Sequence, residues 1–301
     1  MSLWLAATLF AASVQALRFL LQKRLAVSGL SPTAATFARF VYAPPVIALG
    51  LGVWLVGWDG TLPRIASGFW PFALAGGIAQ ILATICVVAL FARRNFAVGI
   101  AFSKVTVLMT VATGWLLLGE TVSGAALGAM IVGFVGVVLL SVPVGAVGAG
   151  RLQVFNRASA LGLASGAFFS VSAVGYRGAS LAVESAAPIL RAAVTLGLVT
   201  LVQTALLGLW LLWRDRAGLV AVARRWRATS LVGATSLAGS LGWFTAYTLQ
   251  TAAIVNAVGQ VELILSMAIS WLALGERQTR RELAGIALVG LSVVGLILLR
   301  G

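Results

Sequence analysis

The 301-residue sequence predicts an all-α membrane protein whose ten transmembrane helices form two inverted five-helix repeats. Three observations carry that expectation. Apolar residues make up 61% of the chain and charged residues only 9%, a balance far from that of water-soluble domains. Runs long enough to cross a hydrocarbon core of about 30 Å follow one another with short polar breaks. A segment late in the first half also recurs late in the second.

The spanning runs fall at residues 3–22, 33–55, 68–91, 97–118, 123–142, 158–176, 187–212, 229–249, 254–274 and 282–299. The first has no basic stretch before its apolar run, since Arg18, Lys23 and Arg24 come late. It reads as a retained span rather than a cleaved signal. Pro44 and Pro45 fall inside span two and predict a kink or break there. Polar breaks occur at Ser28 to Pro32, Asp59 and Gly60, and Arg93 to Asn95. No strands are expected. The Gly/Val-rich piece that opens residues 143–157 is the linker between a first repeat at 1–142 and a second at 158–301. Glycines at 124, 128, 133 and 136 in span five, and at 285, 290 and 295 in span ten, suit close helix packing or a homodimer face.

Residues 97–120 (AVGIAFSKVTVLMTVATGWLLLGE) align without gaps on residues 253–276 (AIVNAVGQVELILSMAISWLALGE), down to a shared W-L-x-L-G-E. Arg39 and Arg191 likewise each follow an alanine by four residues, early in the second span of each half. Five is odd, so the second copy runs upside down relative to the first. Charge agrees with that inversion. WLLLGE is followed by the neutral TVSGAALG, whereas WLALGE is followed by RQTRRELAG. Arginines and lysines crowd the loops after spans one, three, five, seven and nine, which places those loops in the cytoplasm and both termini outside. That clustering, and not nucleic-acid binding, accounts for the net charge of +14.

The ten spans and the twice-occurring W-L-x-L-G-E before a glycine-rich span resemble the EamA type of the drug/metabolite transporter superfamily, over nearly the whole chain. The resemblance implies a central cavity between the halves, and export of amino acids, nucleotide-like metabolites or drugs from a cell of bacterial type across its inner (plasma) membrane.

Ionised groups inside a span cost about 2.5–3.5 kcal/mol on insertion scales, so each one is a candidate site residue. Lys104 lies about 10 Å into span four and Glu262 about 12 Å into span nine, at 1.5 Å per residue. Entering from opposite faces, they end roughly 8 Å apart along the membrane normal, close enough for long side chains to meet. Such a pair can be broken by substrate or a proton, or it can be a static bolt. Arg18, Arg39 and Arg191 either snorkel to headgroups or face the cavity. If they face it, the cationic excess favours a carboxylate-bearing or otherwise anionic substrate. Gln15, Gln80, Thr106, Asn256 and Gln260 add neutral donors, Asn256 and Gln260 on one face. Trp243 and Tyr247, four residues apart, form an aromatic stripe beside Phe244. Glu120 and Glu276, at the start of short turns ahead of helices, are read as structural carboxylates that favour the positive end of a helix dipole.

The expected function is a secondary transporter, an exporter of a small polar metabolite working by alternating access. The alternatives are a cationic-drug/proton antiporter centred on Glu262 and, from another class, an integral membrane enzyme. The chain has no phosphate-cradling glycine loop, no histidine and a single cysteine, Cys86. No cofactor, metal or catalytic residue is therefore expected. The partners are a small-molecule substrate and membrane lipid.

Overall fold

The computed structural model describes residues 2–27, 29–57, 60–91, 103–141, 157–265, 268 and 279–299. It is helical almost throughout. In chain order the helices are α1 (Leu3–Val27), α2 (Pro32–Phe40), α3 (Ala43–Gly57), α4 (Phe69–Phe91), α5 (Thr106–Leu118), α6 (Gly124–Ser141), α7 (Arg157–Leu181), α8 (Pro188–Arg214), α9 (Arg216–Arg224), α10 (Trp226–Leu249), α11 (Ala252–Gly259) and α12 (Arg280–Leu298). Among the described residues, five helical stretches are long and apolar enough to cross a membrane: Leu3–Gln22, Pro32–Gly57, Phe69–Leu90, Pro188–Arg214 and Arg280–Leu298.

Three features depart from the sequence reading or refine it. Span two is two helices, broken at Val41 and Tyr42. Pro44 and Pro45 lack the N–H groups that would carry one helix through that point. The loop after α8 contains an amphipathic helix, α9, that hydropathy alone misses. Asp215 starts it by accepting from Gly218 N at 2.8 Å, and Ser31 ties the same carboxylate to the start of α2 at 2.7 Å. A short antiparallel ribbon joins β1 (Arg64–Ile65) to β2 (Val183–Glu184) and sets Arg64 opposite Glu184, where no strand was expected. Residues 143–156, expected to form the linker, and the whole second W-L-x-L-G-E, Glu276 included, lie outside the described residues.

Three helix seams hold the bundle. α4 packs along α7, α1 along α10, and α6 along α12. Lipid tails are as apolar as leucine side chains, so helices in a bilayer gain most by bringing backbones close. The seams are built for that. A Cβ placed on Gly175 would lie 2.8 Å from the Phe72 carbonyl and from Gly76 Cα. One on Gly242 would lie 3.0 Å from the Ala7 carbonyl, and one on Gly136 2.8 Å from the Gly285 carbonyl. Gly133 approaches Ser292 in the same way, whereas Gly124, Gly128 and Gly290 have open space. Only part of the glycine pattern is therefore a packing face.

This contrast tests the seam directly. Gly128→Ala should stabilise the chain by about 0.5–1 kcal/mol through helix propensity, while Gly136→Ala should destabilise it by about 1–3 kcal/mol through overpacking. Thermal unfolding of the two detergent-purified variants should therefore shift in opposite directions.

Candidate functional site

Two local breaks face each other at the centre of the molecule. α5 begins at Thr106, after a turn at Lys104 and Val105; α11 ends at Gly259, and a turn at Gln260 precedes a further helical stretch at 261–265. Tight bonds mark both places: Val107 N to the Lys104 carbonyl at 3.4 Å, and Gln260 N to the Ala257 carbonyl at 3.2 Å. Lys104 and Gln260 occupy matching places in the repeated segment, so the two breaks are equivalent in sequence. Short tight stretches inside a helix free backbone groups and often mark functional positions. Gly259 adds a second reason for the irregularity, because a Cβ there would collide with the Trp243 ring.

Around these breaks lies a cavity of about 350 Å³, with walls contributed by α1, α2, α4, α5, α7, α8, α10 and the segment around α11. Its first wall is an ionic cluster. Lys104 Nζ donates to Glu262 Oε1 in an ion pair, and Gln15 Nε2 donates to Glu262 Oε2 at 2.5 Å. Gln15 Oε1 in turn accepts from Arg18 Nη2 and from Trp243 Nε1, both at 3.1 Å. Two separate segments, α1 and the turn before α5, thus converge on one carboxylate that is only 5% exposed. A neutral chain continues along the same wall: Tyr247 Oη donates to Asn256 Oδ1 at 2.7 Å, and Asn256 Nδ2 donates to Thr110 Oγ1 at 3.0 Å. Trp243 stacks on Tyr247 with ring centroids 5.9 Å apart.

The facing wall centres on Arg39, in the last turn of α2. Its Nη1 donates to Thr84 Oγ1 at 2.7 Å. With the Gln80 amide oriented to satisfy its neighbours, the amide oxygen accepts from Arg39 Nη1 and Nη2 at 3.0 and 2.6 Å, and its nitrogen donates to Ser172 Oγ at 2.6 Å. Gln203 Nε2 bridges the Gly77 carbonyl and Tyr176 Oη at 2.9 and 3.0 Å. Arg39 is 4% exposed, and none of the described carboxylates pairs with it.

Of the residues singled out in the sequence, Gln15, Arg39, Gln80, Lys104, Thr106, Trp243, Tyr247, Asn256, Gln260 and Glu262 line the cavity. Arg18 lies behind the wall, buried, and reaches it through Gln15. Arg191 lies away from it, with Nε donating to the Ser180 carbonyl at 3.0 Å, so the repeat-related arginines are not equivalent in role. Ser172, Tyr176 and Gln203 also line the cavity, and Thr84 buttresses Arg39. Single polar residues in apolar spans gave no periodic signal that would have selected them.

Glu120 is corrected as well. Ser123 Oγ, not Glu120, caps α6 by accepting from Ala126 N at 3.2 Å. Gly119 ends α5 at φ +65°, a left-handed turn that suits glycine, and directs Glu120 sideways into an ion pair with Arg177 of α7. Arg177 Nη1 also donates to the Tyr247 and Gln250 carbonyls at 2.7 Å each, joining the ends of α5, α7 and α10. Arg177 lies one residue past the end predicted for span six.

The sequence profile of the EamA-like transporter family matches residues 156–298. A solved crystal structure is similar over 98% of this chain and 98% of its own, with a TM-score of 0.69 and 16% identity, a likeness that bears on the fold alone. No curated protein matches the chain.

The central pair should behave as a coupled unit. Lys104→Met or Glu262→Gln alone leaves a buried group without its partner and should cost about 3–5 kcal/mol, while the double variant should recover most of that loss. Thermal unfolding of the three variants in detergent measures the coupling.

Proposed function

We propose that the chain, whose residues 156–298 match the EamA-like transporter family, is a secondary transporter exporting a small polar, carboxylate-bearing metabolite by alternating access. The observation that carries the proposal is the 350 Å³ cavity whose walls come from both halves of the chain and whose floor is the Lys104–Glu262 pair. An ionised pair in that position is expensive to keep and is more often found on a pathway than as a bolt. A substrate carboxylate can replace Glu262 as the partner of Lys104.

Several features support ten spans in two inverted halves. The breaks at Lys104 and Gln260 fall at repeat-equivalent residues. The α4–α7 seam and the α1–α10 seam exchange under inversion, and the α6–α12 seam maps onto itself. The β1–β2 ribbon requires an even number of crossings between residues 65 and 183, and the four spans assigned to that interval meet the requirement. On the charge asymmetry of the loops, the ribbon and the Glu120–Arg177 pair lie on the outer side.

A second reading, export of an organic cation, draws on the Trp243–Tyr247 stack beside Glu262, since aromatic faces attract cations. Uptake into inside-out vesicles from anionic, zwitterionic and cationic metabolite pools separates the two. The anionic pool should accumulate, and Glu262→Gln and Lys104→Ala should each slow it by at least about tenfold, equivalent to about 1.4 kcal/mol. Accumulation of the cationic pool alone would favour the second reading. Unchanged rates in both variants would remove the pair from the pathway.

A further inference from the structure

Four charged side chains at the centre of the molecule are described and enclosed: Arg18, Arg39, Lys104 and Glu262. Three are cations and one is an anion. Glu262 answers one cation, which leaves two positive charges for neutral groups to accommodate. Arg39 is met by a threonine hydroxyl and a glutamine carbonyl, and Arg18 by the Gln15 carbonyl. In each arginine the Nε–H, itself buried, has no acceptor among the described residues. Neutral acceptors return only a fraction of the cost of desolvating a guanidinium. Guanidinium groups of this kind fit carboxylate and phosphate oxygens with two parallel bonds.

Building on the transporter reading, we infer that the cavity takes a cargo bearing two negative charges. One oxyanion faces Arg39, between α2 and α4. The second lies against Lys104, beside Gln15, which already links Arg18 to Glu262. With such a cargo aboard, the charge of the described enclosed groups sums to zero: three cations, the ionised Glu262 carboxylate and two cargo charges. A monoanion leaves one charge uncompensated, and a neutral cargo leaves two.

Equilibrium binding to the full chain in detergent, at fixed ionic strength, tests this without requiring transport. Succinate, succinamate and succinamide have similar lengths and carry two, one and no negative charges; inorganic phosphate supplies a dianion without a carbon frame. Succinate or phosphate should raise the unfolding temperature and bind at least about tenfold more tightly than succinamate, the equivalent of about 1.4 kcal/mol. Succinamide should not bind measurably. Arg39→Gln should erase the preference for two charges over one; if that variant does not fold, Arg18→Gln should narrow the preference. Equal affinity for succinate and succinamate, no stabilisation by either dianion, or an unaltered preference in the folded variants would each overturn the inference, a solvated cavity then being the explanation for the two arginines. Dianion binding without uptake in vesicles would leave the inference standing and sink the transporter reading. Uptake of a neutral or monoanionic pool without dianion binding would do the reverse.

Discussion

The centre of this molecule is organised by the cost of keeping ionised side chains away from water. A carboxylate on the segment after α11 can stay charged only if cations and donors reach it, and here they come from α1 and from the turn before α5. That requirement brings together residues 15, 104 and 262, far apart in the chain, and holds both irregular helices at their breaks. The cavity exists because these groups need one another more than they need lipid-like neighbours. Its aromatic and amide lining, from Trp243 to Asn256, is held in place by the same network.

Packing supplies the opposite kind of constraint. Along the three main seams the helices rely on close backbone approach at Gly175, Gly242 and Gly136. At one end the Arg177 guanidinium closes the bundle by binding Glu120 and two carbonyls that a helix terminus leaves unsatisfied. The glycine of the repeated W-L-x-L-G-E motif thus has a physical role where it is described: it turns the chain so that the glutamate leaves its helix axis.

Much of this was legible in the sequence. Composition selected a helical membrane protein, and the repeated segment selected Lys104 and Glu262, because an ionised residue stands out against an apolar run. Arg39 stood out for the same reason. Arg191 looked equivalent by spacing, but spacing does not reveal that its helix turns it toward the Ser180 carbonyl. Tyr176, Gln203 and Thr84 were silent because a neutral polar residue in an apolar span is common, and helix faces blur when lipid and protein neighbours are equally apolar. The two-residue ribbon and α9 were silent for lack of length. Glu120 was misread because a carboxylate just before a helix has an obvious local use, whereas its partner lies 57 residues away.

The tightest seams do not respect the division of the chain at residues 143–157. α4 is joined to α7 and α1 to α10, each pair uniting a helix before the linker with one after it, at distances where backbone meets side chain or backbone. Units interlocked in this way cannot part along the sequence boundary without prying glycine from carbonyl. The packed helix pairs α4–α7, α1–α10 and α6–α12 are therefore each assembled from one helix before residue 143 and one that begins at or after residue 157. Severing the linker would divide the polypeptide without dividing the machine.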